Sequence, residues 1–318
     1  MTSPQPKTLQ GKVAVVSGSS SGIGAAIAQE LSSRGASVVI NYPFSGEKEA
    51  AEAVMSSLLD SDNARIVEAD LATLEGPRLL IEATVKAFGQ LDILVNNAAV
   101  CWPTPIDGPD DQQVLKNWDD MVTLNGRGTL LLTRAALPVI SRQHSRIINI
   151  SSDSTRSPEP DMTIYTGTKG MIEAYTRCWA KELPRKYGCT VNTIAPGPIA
   201  TKRMLSAPPQ FLDVIMKQTE KNPVESRLGT PEEVAYAVAM LCEEKAGWIN
   251  GQYIPVCGGS YMTRLRGHTR ESVRCLSPTT EAVATLHAEA TSEDWVPARH
   301  YFVGTGAPKL EGRCNRIT

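Results

Sequence analysis

The chain reads as an α/β protein built on a doubly wound parallel sheet, and three observations predict it. Short apolar runs of strand length recur from Val13 to Val256, separated by segments whose apolar residues fall at helical spacing. The first run passes straight into a glycine turn and then a helix, through Gly18-Ser19-Ser20-Ser21-Gly22-Ile23-Gly24. Polar residues gather just after several of the runs, at the carboxyl ends of strands where such sheets hold ligands. Strands alternating with helices in this rhythm pack as layers, with the strands buried on both faces and therefore apolar throughout.

Composition narrows the function. With 318 residues, 42% hydrophobic and 21% charged, the chain has the balance of an ordinary soluble globular protein. A formal charge of −2 and a pI near 6.1 give no electrostatic case for nucleic acid. No apolar run approaches the roughly 18 residues of a membrane span. The first ten residues are polar with two prolines and do not read as a signal peptide, so a cytoplasmic location is expected. Cysteines at 101, 178, 189, 242, 257, 275 and 314 form no Cys-x-x-Cys pair. They are expected to be reduced thiols, with no metal site.

Taken in order, Val13–Ser17 is the first strand. In the turn that follows, Gly18 permits the tight bend, Gly22 lets the backbone approach a pyrophosphate, and Gly24 lets helix and strand pack closely. The helix start, carried by Ile23, Ala26, Ile27 and Leu31, offers free N–H groups to phosphate. Residues 37–41 are the second strand. A carboxylate at this strand's end usually bonds the ribose 2′-hydroxyl of NAD. Here the end is Asn41-Tyr42-Pro43-Phe44-Ser45, with no carboxylate to repel a 2′-phosphate. NADP(H) is therefore expected over NAD(H), with Ser45, Asn41 and Ser20 as donors; Ser45 as a helix cap is the alternative.

Residues 47–59 read as helix, 65–69 as the third strand ending in Asp70-Leu71, and 74–88 as helix closed by Gly89. Residues 91–95 are the fourth strand, ending in Asn96-Asn97-Ala98-Ala99. Asp70, Asn97 and Ala98 all fall at the ligand end of the sheet; for Asp70, capping the next helix competes with an adenine contact. A long helix over 117–137 contains Asn125, a poor mid-helix residue, which either faces solvent or marks a kink that holds a water. The fifth strand, around Ile147–Ile150, ends in Ser151-Ser152. After a proline-bearing loop, a helix from Thr163 toward Lys186 carries Tyr165 and Lys169 four apart, on one face. An ammonium beside a phenol favours the phenolate, so the Tyr165 pKa is expected to fall from about 10 toward neutrality. Residues 191–195 and 252–256 are the last two strands, and Pro231–Cys242 is a helix capped by Thr230. Residues 201–222, with Met204, Leu205, Phe211 and Met216, are weakly periodic and read as a mobile substrate lid.

Together these motifs resemble the short-chain dehydrogenase/reductase family, from about Leu9 to about Tyr261. The match comprises residues 17–24, Asp70, Asn96-Asn97-Ala98-Ala99, Asn125, Ser152, the Tyr165–Lys169 segment, Pro196–Thr201, 222–235 and 249–259. Ser17 stands where Thr is usual and Ala99 where Gly is usual. The resemblance implies a seven-stranded Rossmann domain over 11–262, after an N-terminal arm of residues 1–10. It implies a catalytic tetrad: Tyr165 as general acid, Lys169 to lower its pKa and bond the nicotinamide ribose, Ser152 on the substrate oxygen, and Asn125 holding a water that leads to Lys169. Cofactor contacts follow from Gly18, Ser20, Ser21, Gly22, Ile23, Asn41, Ser45, Asp70, Leu71, Asn97, Ala98, Tyr165, Lys169, Pro196, Gly197, Ile199 and Thr201. The implied activity is reduction of a ketone or 3-oxoacyl group by a homodimer or homotetramer that packs the 117–137 and 163–186 helices together. Residues 263–318, holding three of the four histidines, match nothing and are expected to be poorly ordered.

Overall fold

A computed structural model describes residues 7–220 and 222–262, all within the unit Met1–Thr263. The expectation for 263–318 lies outside the described residues. Seven strands pair in parallel in the order β3-β2-β1-β4-β5-β6-β7. They are β1 (Val13–Val16), β2 (Ser37–Tyr42), β3 (Ala64–Glu68), β4 (Ile93–Asn96), β5 (Ser145–Ile150), β6 (Cys189–Pro196) and β7 (Tyr253–Val256). Successive side chains serve opposite faces: Ala14 and Val16 join one apolar cluster, Val15 the other.

Helices cover both faces, as a parallel sheet requires. One cluster joins the strands to α1 (Gly22–Ser33), α2 (Lys48–Ser56) and α10 (Pro231–Cys242); the other joins them to α3 (Gly76–Phe88), α5 (Thr129–Ala136) and α6 (Thr163–Glu182). Leu9, within the expected arm, is fully buried in the first cluster, and its N–H donates to the Arg34 carbonyl. The chain order reverses at β1, which lies between β2 and β4; that switch point opens a crevice at the carboxyl ends.

Three expectations change. The helix expected over 117–137 is three pieces: α4 (Asp111–Met121), a π-helical turn Val122–Gly128, and α5. The π turn falls on Asn125, whose amide bonds outside the helix, and such turns recur at functional sites. The weakly periodic 201–222 segment contains two helices, α8 (Lys202–Leu205) and α9 (Pro209–Thr219). Thr201 caps the first through a bond from Met204 N, and Pro209 opens the second at a position where a missing N–H is harmless. The expected helix to Lys186 breaks at Pro184, which starts the short α7 (Pro184–Tyr187). Thr230 and Glu233 form a reciprocal capping box on α10.

Candidate active site

The glycine turn is bound into the sheet by side chains from three strands. Asn41 is buried; its Oδ1 accepts from Gly18 N at 3.0 Å, and its Nδ2 donates to the Ala69 carbonyl at 3.0 Å. Its amide thus holds the turn from beneath, a role the expected cofactor contact did not anticipate. Ser17 Oγ accepts from the N–H groups of Asn97 and Ala98 at 2.8 and 3.0 Å, while Asn97 Nδ2 donates to the carbonyls of Ser17 and Gly18. Asn97 and Ala98 therefore lie at the turn, as expected, although the Asn97 side chain is spent on the backbone.

The turn has the form of a cradle. Gly22 has φ of 57°, which glycine tolerates best, and a methyl there would sit 3.3 Å from the Thr201 methyl. A Cβ on Gly24 would lie 2.4 Å from the Gly18 carbonyl, so only glycine lets α1 start this close to β1. The N–H groups of Gly22 and Ile23 meet no acceptor among the described residues, and Ser21 caps α1 without using its side chain. Open donors at a helix start, facing Thr201, fit a pyrophosphate group.

The adenosine end needs one correction. The residues after β2 carry no carboxylate up to Ser45, but Glu47, in the 3-10 turn Ser45–Glu47, accepts from Ser20 Oγ at 3.1 Å. A carboxylate therefore does reach the glycine turn. Asp70 is exposed and accepts from Ala72 N at 2.9 Å, closing a local turn; the next helix, α3, has Glu75 at its N-cap, so Asp70 does not cap it. Leu71 and Ile199 are buried, which leaves them their main-chain atoms for any ligand.

Tyr165 and Lys169 share one face of α6. The Lys169 Nζ lies 5.6 Å from the Tyr165 ring centroid and donates to the Ile150 carbonyl at 2.8 Å. Burial pushes the Lys169 ammonium down to about 8, against a small opposing effect of Cys101. Tyr165 departs from expectation: burial, with Cys101 adding to it, raises the phenol above its ordinary value, while a hydrogen bond from Ser152 opposes the rise. Desolvation sets the direction of the shift in this crevice. Ser152 Oγ also accepts from Ser154 N at 3.2 Å.

Asn125 is buried and clamps the loop after β4: its Oδ1 accepts from Val100 N, and its Nδ2 donates to the Val100 carbonyl and to Thr168 Oγ1. Thr168 in turn donates to the Tyr165 carbonyl at 2.7 Å. The Asn125 side chain ties that loop to the tyrosine's helix. Behind the site, Glu173 is buried, accepting from Ser151 Oγ at 3.1 Å and Arg156 at 2.7 Å. This joins the serine loop to α6 one turn beyond Lys169.

Asp153, unremarked in the sequence, follows Ser152 directly. Its carboxyl is pushed up to about 6 by burial, and its Oδ2 accepts from Ser260 Oγ at 3.4 Å. The same oxygen lies 3.1 Å from where a Cβ on Gly197 would stand, so the Pro196-Gly197 bend passes beside the serine. Among the described residues no group of three His, Cys, Asp or Glu could hold a metal, and no helix is long and apolar enough to cross a membrane.

Known proteins are similar to this chain. A family model described as enoyl-(acyl carrier protein) reductase matches residues 18–261. The short-chain dehydrogenase/reductase FrzI of Cladobotryum is 36% identical over 262 residues, covering 80% of this chain and 97% of that protein. A hydroxynaphthalene reductase of Aspergillus fumigatus is 34% identical, covering 79% of this chain and 93% of its own. The crystal structure of the angucycline C-6 ketoreductase LanV with bound NADP superposes with a TM-score of 0.72 at 30% identity, over 80% of this chain and 98% of that one. With that family model matched over residues 18–261 and relatives more than 30% identical over most of their own length, the chain belongs to the short-chain dehydrogenase/reductase family.

Proposed function

We propose that the protein is an NADP(H)-dependent reductase that converts a ketone to a secondary alcohol, the ketone being apolar or aromatic, or a 3-oxoacyl group. The observation that carries this reading is the Lys169 ammonium set against the Tyr165 ring with Ser152 bonded to the same phenol. The cradle fits a dinucleotide: Gly22, Ile23, Ser21 and Thr201 would hold the pyrophosphate, and Lys169 the nicotinamide ribose. Once bound, the nicotinamide supplies the hydride.

The chain's own residues handle the carbonyl oxygen. Ser152 donates to it and fixes the substrate. Tyr165, with a pKa above its ordinary value, is fully protonated near pH 7 and is the proton donor. As the proton leaves, the Lys169 charge and the Ser152 bond stabilise the phenolate. The names of the hydroxynaphthalene reductase and the ketoreductase support a cyclic aromatic ketone and a place in secondary metabolism. The reading includes a cytoplasmic enzyme and a homo-oligomer packed through α4, α5 and α6, with no nucleic-acid or membrane partner. NADPH oxidation, followed against a ketone panel, tests it. Tyr165→Phe should lower kcat by at least ~10³-fold, in the range lost with a general acid, and leave the NADPH Kd nearly unchanged. Full turnover in that variant removes the proposed acid.

A further inference from the structure

The proposed chemistry leaves one cluster at the crevice mouth unused. Cys101 and Trp102 lie in the segment after β4, and Arg203 lies on α8. The Arg203 guanidinium carbon stands 5.6 Å from the centroid of the Trp102 ring, so the pair joins two walls of the crevice. Lys169 and Arg203 both act on the Cys101 thiol, which burial raises to about 11. The guanidinium and the ammonium thus both lie within electrostatic reach of the same thiol.

Arg203 has no hydrogen bond or ion pair to any other described residue. Other arginines differ in this respect: Arg156 pairs with Glu173 at 2.7 Å, and Arg227 with Glu233 at 2.6 Å. Stacking on an indole engages the face of the guanidinium. Its five N–H groups lie in the plane and point outward, so the stack leaves them open. Trp102 is 39% exposed and Arg203 is exposed, so these open donors are within reach of a ligand from solvent. A guanidinium placed over an aromatic ring with its N–H groups unbonded is prepared for two parallel bonds to a carboxylate.

We infer that Arg203, positioned by Trp102, sets specificity, and that the substrate is a ketone bearing a carboxylate which takes the guanidinium fork while its carbonyl reaches Ser152 and Tyr165. This rests on the ketone-reductase reading of the site. The competing role is a simple latch, in which the stack only fastens α8 to the loop.

The probe pair is 4-acetylbenzoate and its methyl ester, which differ in charge at one end. Calorimetry on protein saturated with NADP+ measures binding without turnover; NADPH oxidation measures reduction of the same pair. The wild type should bind the acid more tightly than the ester. Arg203→Gln should cut that preference about tenfold, the scale of a charge-assisted pair, and Arg203→Lys should keep part of it. Trp102→Ala should erode the preference through KM and not kcat, and Trp102→Phe should restore most of it. Equal losses for acid and ester would assign the latch role and overturn the inference, as would a wild type with no preference for the acid. Preferential binding of the acid with neither ketone reduced would sustain the carboxylate site and remove the reductase reading, so the two can fail separately.

Discussion

At the scale of single residues, burial decides more than charge pairing does. Lys169 sits against Tyr165, yet the crevice desolvates both, lifting the phenol and depressing the ammonium to about 8. The lysine has a measurable signature. The unfolded chain releases this proton near 10.5, the folded chain near 8. Between those values the unfolded state binds more protons, so stability rises with pH; below 8 both states are charged and the penalty stands in full. Thermal melts of the cofactor-free protein should show the wild type gaining stability relative to Lys169→Met from pH 8 to about 10.5. A constant difference over that range would place the amine in water. Glu47 makes a second test. Its bond to Ser20 brings a negative charge to the glycine turn, where a 2′-phosphate would add a like charge. Glu47→Gln should tighten NADPH binding by about tenfold while NADH changes little, since one unit charge near a phosphate is of order 1 kcal/mol. Equal shifts for both cofactors would move Glu47 away from the 2′ position.

At the scale of elements, the sequence reveals what repeats and conceals what bends. All seven strands were legible as short runs rich in apolar residues, the central ones buried on both faces and β3 and β7 only partly, and their ends fell within a residue or two of expectation. The glycine turn and the Tyr165–Lys169 face were legible because their spacing is itself the chemistry. The π turn was not: Asn125 signalled a disturbance, but only its bonds to Val100 and Thr168 give the helix a reason to widen. The helices α8 and α9 stayed hidden because their apolar residues face solvent as often as core; Leu205, Val214 and Met216 are all exposed. Side chains that act across long sequence gaps were also invisible. Asn41 gripping the glycine turn, Glu47 reaching Ser20 and Arg203 stacking on Trp102 require the fold before they can be seen. Such contacts give the site its rigidity: the Glu173–Arg156 pair and the Asn125 clamp tie both flanking loops to α6, so the serine and the loop after β4 are fixed relative to the tyrosine.

At the scale of the molecule, the two sheet faces differ in what they leave uncovered. The helical layer of α4, α5 and α6 presents Leu115, Trp118 and Leu130 to solvent at 59%, 52% and 40% exposure. On α6 a side chain at Gly167 or Gly170 would meet nothing within 4 Å, so this layer carries shallow, small-residue ground beside large apolar ones. A surface of that kind on a monomer invites association, and self-complementary packing about a two-fold axis is the commonest solution. The layer also contains the π turn and the helix of the catalytic pair, so association through it would press on the elements that hold Tyr165 and Asn125. Light scattering should return a mass that is a multiple of the 34.3 kDa chain. Trp118→Glu should lower that mass toward the single chain by burying a charge at the contact. It should also reduce kcat more than it weakens NADPH binding, because the turn proposed for the pyrophosphate lies at the start of α1, outside this layer. A variant that keeps the wild-type mass would show that subunits meet elsewhere, and a wild type that runs as a single chain would leave the exposed tryptophan without a partner copy.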